Sequence, residues 1–322
     1  MDVKTAFLNG KIDCVIRMEQ PPGSLIDPAS RRDYVCLLQK SLYGLKQAPH
    51  LWYWTFVTFM ASLGFARLHK DRCVFLKASE DGFTIVSLYV DDLLIITPNK
   101  ARALDLKVSL SKRFHMKDLG PVRDILGWEI ARNRPNRTLG TSLHGLMLGG
   151  RDYVTKPFLS AYVDANYAMC PDTRRCVSGF LILFFNSLIS WLSKKQGIVT
   201  LSTTEAEFVA LALCIQECLY VRQLAAELHH TSDQPISVHE DNQSAISIAQ
   251  NAEHHGRSKH IDVRFMFVRD LVENKEFVLH YCPTKEQLAD FFTKAHPEPA
   301  FRRFCNALRI YKLGDFLSDR VP

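Results

Sequence analysis

Residues 83–97 read FTIVSLYVDDLLIIT, two apolar runs hinged on a pair of carboxylates. Positions 83–90 are rich in β-branched and aromatic side chains, and 93–97 is a second run of the same kind, so both read as buried strands. Asp91 and Asp92 fall between them, where a two-residue hairpin turn would go. Aspartate is common in turns, and a solvated turn is one reading. A divalent-cation site is the other. Adjacent acids flanked by apolar strands are costly unless something at the turn uses their charge. Mg2+ takes a few carboxylates and keeps its other positions for water and phosphate oxygens. Such a site needs a third acid from elsewhere in the chain.

Working outward, 322 residues suffice for two domains, and 47% hydrophobic with 23% charged residues is the composition of a folded, soluble type. A net charge of +6 suits a polyanionic partner, although no Lys/Arg run reads as a polybasic tail or nuclear-localisation signal. Nine cysteines lack both disulfide-scaffold and zinc-finger spacing, so they read as reduced and mostly buried. That places the chain inside the cell, in cytoplasm or nucleus, and residues 1–10 are too polar for a targeting signal. The stretch 177–192, VSGFLILFFNSLISWL, is the one membrane suspect. It is shorter than the roughly 20 apolar residues of a span. Asn186 and Ser187 also break it as a hairpin turn would, so no membrane partner is expected. Nothing in the sequence fixes the oligomeric state.

Taken in order, 11–32 is rich in loop residues, and Pro49 opens a helix over 49–63 that is apolar almost all round and ends at Gly64. Its aromatic residues fit a buried helix better than a base-stacking surface. A second helix is expected over 101–114. Residues 132–157 hold many Gly, Pro, Asn and Arg and no sustained period, and read as an irregular linker. From 159 a new pattern begins: a strand carrying Asp164, an antiparallel pair over 178–185 and 188–192, and a further strand at 198–201. There follow a long helix over 204–228, a strand over 236–240 leading to Asp241, helices over 244–250 and 260–273, and a last strand over 277–281. This order predicts an α/β layer domain.

Four motifs in the first half carry a resemblance: MDVKTAFLNG at 1–10, SLYGLKQAP at 41–49, LYVDD at 88–92 and KDLGPVRDILGWEI at 117–130. In order and spacing they resemble the reverse transcriptase of copia-type LTR retrotransposons. In the second half, YVDANYA, STTEAEFVA, HEDNQSAI, RSKHIDVRF and PTKEQLADFFTK, within about 158–294, resemble the ribonuclease H domain of the same elements. The resemblance implies an α/β chain in four parts: an α+β palm remnant with its YVDD hairpin over 1–131, a linker or deletion scar over 132–157, a ribonuclease H-like α/β layer domain over 158–294, and a tail over 295–322.

The resemblance also implies chemistry. Asp2, Asp91 and Asp92 would hold paired Mg2+ for nucleotide addition to a primed RNA template. Phe7 would gate against the ribose 2′-hydroxyl, or simply pack in the core. Tyr43 and Gly44 would line the nucleotide and template pocket, and Lys46 would lie near the nucleic-acid backbone or be a solvated lysine. Asp164, Glu207, Asp241 and Asp290 would hold Mg2+ for cleavage of the RNA strand of an RNA/DNA hybrid. Glu205 and Asp262 compete with Glu207 and Asp290, whose flanking residues fit the family better. His260 and Arg264 would touch nucleic acid or cap a helix. The family's fingers precede the first motif and its thumb follows the fourth, and neither is recognisable here. Polymerase activity is therefore expected to be absent or weak and the nuclease half the more competent. A non-catalytic nucleic-acid-binding remnant and a decayed element copy are the alternatives.

Overall fold

The apolar runs of 83–97 pair with each other as an antiparallel hairpin, as expected of two strands on either side of a turn. The computed structural model describes residues 1–23, 34–133, 138–141, 144–149, 157–168, 172–250 and 259–312, and it divides into two units, Met1–Val122 and Arg123–Pro322.

In the first unit β1 is Asp2–Val3, α1 Ala48–Ser62, β2 Ala66–Arg67, β3 Val74–Ser79, β4 Gly82–Tyr89, β5 Asp92–Ile96, α2 Lys100–Arg113 and β6 Met116–Lys117. The strands form one antiparallel sheet in the order β2-β3-β4-β5-β1-β6. Ala48, Trp52, Phe56 and Met60, spaced four apart, line one face of α1, and the last three pack with Phe75, Val86, Leu88 and Leu93 of the sheet. The helix is thus buried along one stripe and not all round as its apolar sequence suggests, with Trp54 on the other side 43% exposed. The hairpin turn differs by one residue from the expectation. Tyr89 pairs with Asp92, so the turn is Val90–Asp91 and Asp92 opens a strand. Val90 sits at φ 57°, a costly conformation for a β-branched residue. The buried Trp52 Nε1–H donates to the Val90 carbonyl at 2.6 Å and holds the turn in that register.

In the second unit β7 is Leu159–Asn166, β8 Val177–Phe184, β9 Ser187–Lys195, α3 Thr203–Glu227, β10 Ile236–Glu240, α4 Gln243–Gln250, α5 Lys259–Glu273, β11 Phe277–Tyr281 and α6 Glu298–Ala307. The sheet order is β9-β8-β7-β10-β11, antiparallel across the first three strands and parallel across the last three. Leu159, Ala161 and Val163 of β7 pack with Phe208, Leu211 and Ile215 of α3 on one face. Leu181, Leu183 and Leu188 gather Phe291, Phe292 and Leu308 on the other. The membrane suspect at 177–192 lies in the β8–β9 hairpin. Its turn is Phe185–Asn186, both at positive φ, as a two-residue turn requires. Among the described residues α3 alone is long and apolar enough to cross a membrane, and it is the core helix of this unit.

Three local expectations change. Residues 198–201 form no strand. Leu201 is 85% exposed, and Gln196, bonded to Cys176, Ser178 and Ala206, ends the pairing before it. The segment read as irregular contributes strands: Trp128–Asn133 pairs with Asp124–Ile125 and with Thr138–Thr141, which pairs in turn with Leu148–Gly149. The tail supplies α6 and then Ile310–Lys312, which pairs with His144–Leu146. In that last pair the partners are too far apart in sequence to leave a local period. Residues 134–137, 142–143 and 150–156 of that segment lie outside the described residues.

Replacing Trp52 by Phe keeps the ring but removes the donor to Val90. The expected loss is about 1–3 kcal/mol of local stability. Amide exchange at Leu93, whose N–H bonds to Met1 O, measured in the full chain, is expected to rise about tenfold.

Candidate metal centre

Three acids from three elements of the second unit converge. Asp164 is on β7, on the face opposite the core residues Val163 and Ala165, and is 6% exposed. Glu207 is in the second turn of α3, also 6% exposed. Asp241 follows the last residue of β10. One carboxylate oxygen from each lies within 4.8 Å of the others, and among the described residues no other such group of three His, Cys, Asp or Glu occurs.

Each acid is held in place. The Thr293 hydroxyl donates to Asp164 Oδ2. The Thr293 methyl packs on Gly179, Asp164's partner across β8, where an added Cβ would come within 2.5 Å of it. The Thr284 hydroxyl donates to Asp241 Oδ2 at 2.7 Å. Glu207 is fixed by α3 itself, which starts at a Ser202 cap. The competing Glu205 is committed to that cap: its N–H donates to Ser202 Oγ at 3.1 Å, and its Oε2 accepts the Leu201 N–H at 2.7 Å.

A further acid, unforeseen from the sequence, stands beside them. Glu240 is fully buried at the end of β10, and its Oε1 accepts the Asn242 N–H at 2.9 Å. Strand alternation could have found it, because Ile236, Val238 and Glu240 share the buried face. Neither Glu207 Oε2 nor Glu240 Oε2 has a hydrogen-bond partner. Burial first, then the neighbouring Glu240, Asp164 and Asp241, push Glu207 far above the ordinary glutamate value. Burial likewise pushes Glu240 up to about 8 and Asp164 up to about 6. Buried carboxylate oxygens without a donor, in an all-oxygen set, fit a hard divalent cation such as Mg2+.

Asp290 adjoins this group without joining it. It sits in the 3₁₀ turn Leu288–Phe292, 6% exposed, with Lys294 Nζ 2.6 Å from its Oδ1. Arg264 is on α5 with its Nη1 enclosed and without an acceptor. The side chains of His260 and Asp262 lie outside the described residues.

The other expected residues are in the first unit. Asp2 on β1 is paired directly with Asp92 on β5, and the Asp91 carbonyl accepts the Val3 N–H at 2.8 Å. The three are not gathered as the second-unit acids are. The Phe7 and Tyr43 rings meet at 4.6 Å. Gly44 takes φ 97° with open space beside it, and Lys46 is exposed.

The raised carboxyls set the sign of a pH dependence. A group whose folded pKa lies above its unfolded value stabilises the fold at low pH, and that stability is lost as pH rises through the folded value. The metal-free chain is therefore expected to melt at progressively lower temperature as pH rises from 5 through about 6, where Asp164 ionises, to about 8, where Glu240 does. Asp164→Asn is expected to remove the lower limb, which over this pH range corresponds to about 1–2 kcal/mol. Melting curves at half-unit pH steps in chelator check this.

A family model described as "Reverse transcriptase (RNA-dependent DNA polymerase)" matches residues 1–143. The "Retrovirus-related Pol polyprotein from transposon TNT 1-94" of Nicotiana tabacum is 32% identical, over 94% of this chain and 30% of its own length. That of transposon RE2 of Arabidopsis thaliana is 27% identical, over 97% and 28%. The chain thus spans under a third of the length of these curated relatives. The tobacco alignment runs over 403 positions, more than the chain's 322 residues, so that relative carries stretches with no counterpart here. Among solved structures, LC11-RNase H1 in complex with an RNA/DNA hybrid matches 42% of this chain and 93% of its own, at 14% identity and TM-score 0.32.

Proposed function

We propose that this chain, which belongs to the copia-type retrotransposon family of reverse transcriptase and ribonuclease H sequences, acts through its second unit as a Mg2+-dependent nuclease on the RNA strand of RNA/DNA hybrids. The observation that carries the reading is the convergence of Asp164, Glu207 and Asp241 around buried oxygens that have no donor. These three would hold the metal, with Glu240 and Asp290 adding charge at its margin. Mg2+ bound there would supply an activated water and offset charge on the phosphodiester. The chain's own part is positioning: Thr293 and Thr284 orient two of the carboxylates, and the α3 core keeps the third dry.

The hybrid would be held through phosphates and 2′-hydroxyls, not base sequence. Arg264, with an enclosed nitrogen lacking an acceptor, and His260 are the groups proposed to meet the backbone. In the first unit, Asp2, Asp91, Asp92, Phe7, Tyr43, Gly44 and Lys46 are assigned the family's polymerase roles by motif. Polymerisation itself is proposed to be lost or weak, because the three carboxylates are not gathered. Residues 132–157 are proposed to mark where longer relatives carry a segment absent here. Eight described cysteines are all free, in keeping with the intracellular location proposed.

The test is a labelled RNA/DNA hybrid incubated with the full chain and Mg2+. Cutting of the RNA strand is expected, with Asp164→Asn slower by about 100-fold or more, a loss that even outer partners of metal ligands can cause. No cutting by folded protein overturns the nuclease reading. Extension of a primed RNA template above an Asp91→Asn control overturns the polymerase part.

A further inference from the structure

The 3₁₀ turn Leu288–Phe292 is followed at once by two residues that both reach back to acids. Thr293 donates to Asp164. Lys294 Nζ pairs with Asp290 Oδ1 at 2.6 Å, where the carboxylate side chain is 9% exposed and the lysine 39%. Asp164, Glu207, Glu240, Asp241 and Asp290 crowd one end of the sheet, and among the described residues this is the one ion pair any of them makes. A solvated pair one helical turn apart is worth little. This pair differs, because its acid is buried and further acids lie close by.

The geometry points to Lys294 as the internal counter-ion of the metal centre: its ammonium holds Asp290 in the metal-free chain and has to leave it when a divalent cation enters. The inference rests on the acidic cluster being a cation site. It follows from the balance of charge. Without metal, the buried acids repel one another, and a neighbouring cation favours their charged forms. Contact with Asp290 and the fields of Asp164 and Asp241 outweigh burial and hold Lys294 above the ordinary lysine value. A divalent cation supplies that charge itself and repels the ammonium. The flexible four-carbon stem then lets it swing clear, which a guanidinium fork fixed to a carboxylate does less readily. Lys294 is in this sense a positioning residue. It sets how readily metal loads, and when released it stands at the rim of the site as a cation facing the phosphodiester backbone.

Lys294→Ala, Lys294→Arg and Asp164→Asn in the full chain separate the possibilities, read by Mn2+ binding in electron paramagnetic resonance and by melting at pH 7.5 in chelator. Lys294→Ala is expected to bind Mn2+ about tenfold more tightly than the parent, within the ordinary range of coupling between two sites. It is also expected to melt lower in chelator and to regain the parent's melting temperature at saturating Mn2+, while Lys294→Arg melts like the parent in chelator and binds Mn2+ more weakly, because its fork leaves Asp290 less readily. Equal or weaker Mn2+ binding by Lys294→Ala overturns the inference. So does an unchanged melting temperature in chelator. Failure of the metal-centre reading itself looks different: the parent then binds no Mn2+ that Asp164→Asn removes, and the inference about Lys294 falls with it.

Discussion

Burying negative charge without a cation governs the second unit. Five carboxylates stand at one end of its sheet, and Asp164, Glu207, Glu240 and Asp290 are each at most 6% exposed. Such a group either neutralises or recruits positive charge. Much of the local architecture serves it. The parallel pairing of β7 with β10 brings Asp164 and Asp241 to the same sheet end. The core face of α3 carries Glu207 down into the protein. Thr293, seated on the bare Cα of Gly179, supplies a hydroxyl to one acid, and Lys294 beside it an ammonium to another. Packing, capping and charge here form one problem with one solution.

The first unit solves a milder version. Its acids lie on two paired strands and the turn between β4 and β5, none of them buried, so their repulsion is relieved by solvent. What that unit must hold is the turn itself, with Val90 in a left-handed conformation tied down by Trp52. The contrast explains why the two halves differ as candidate catalytic sites. In one, buried and mutually fixed carboxylates are gathered around unpartnered oxygens. In the other, the acids are spread over β1, β5 and the turn before it and are not gathered.

The strands over 159–195, 236–240 and 277–281 and the long helix after Ser202 were legible in the sequence, because the β-branched runs and the long helix period are strong local signals. Ile236–Glu240 and Phe277–Tyr281 were both read to the residue. The choice of Glu207 over Glu205 was read from flanking residues, and the two differ physically as a buried acid and a capping acid. Other features were not legible. The turn slipped by one residue because Asp-Asp looks like a turn, while the register is set by Trp52, 38 positions away. Glu240 went unnoticed beside the more familiar Asp241. Lys294 reads as an ordinary terminal lysine until the turn after Leu288 brings it onto Asp290. The strands at 128–149 escaped because Gly, Asn and Arg hide the alternation and the partner of one of them is near residue 310.

If the second unit is built around a cation, the cluster of Asp164, Glu207 and Asp241 is where it binds. Crystals soaked in Mn2+ and measured at the manganese edge test it most directly. Anomalous density is expected between those three carboxylates, with Glu207 Oε2 turned toward it. Crystals that diffract well, show the acids in place and carry no anomalous density among them at millimolar Mn2+ would contradict it.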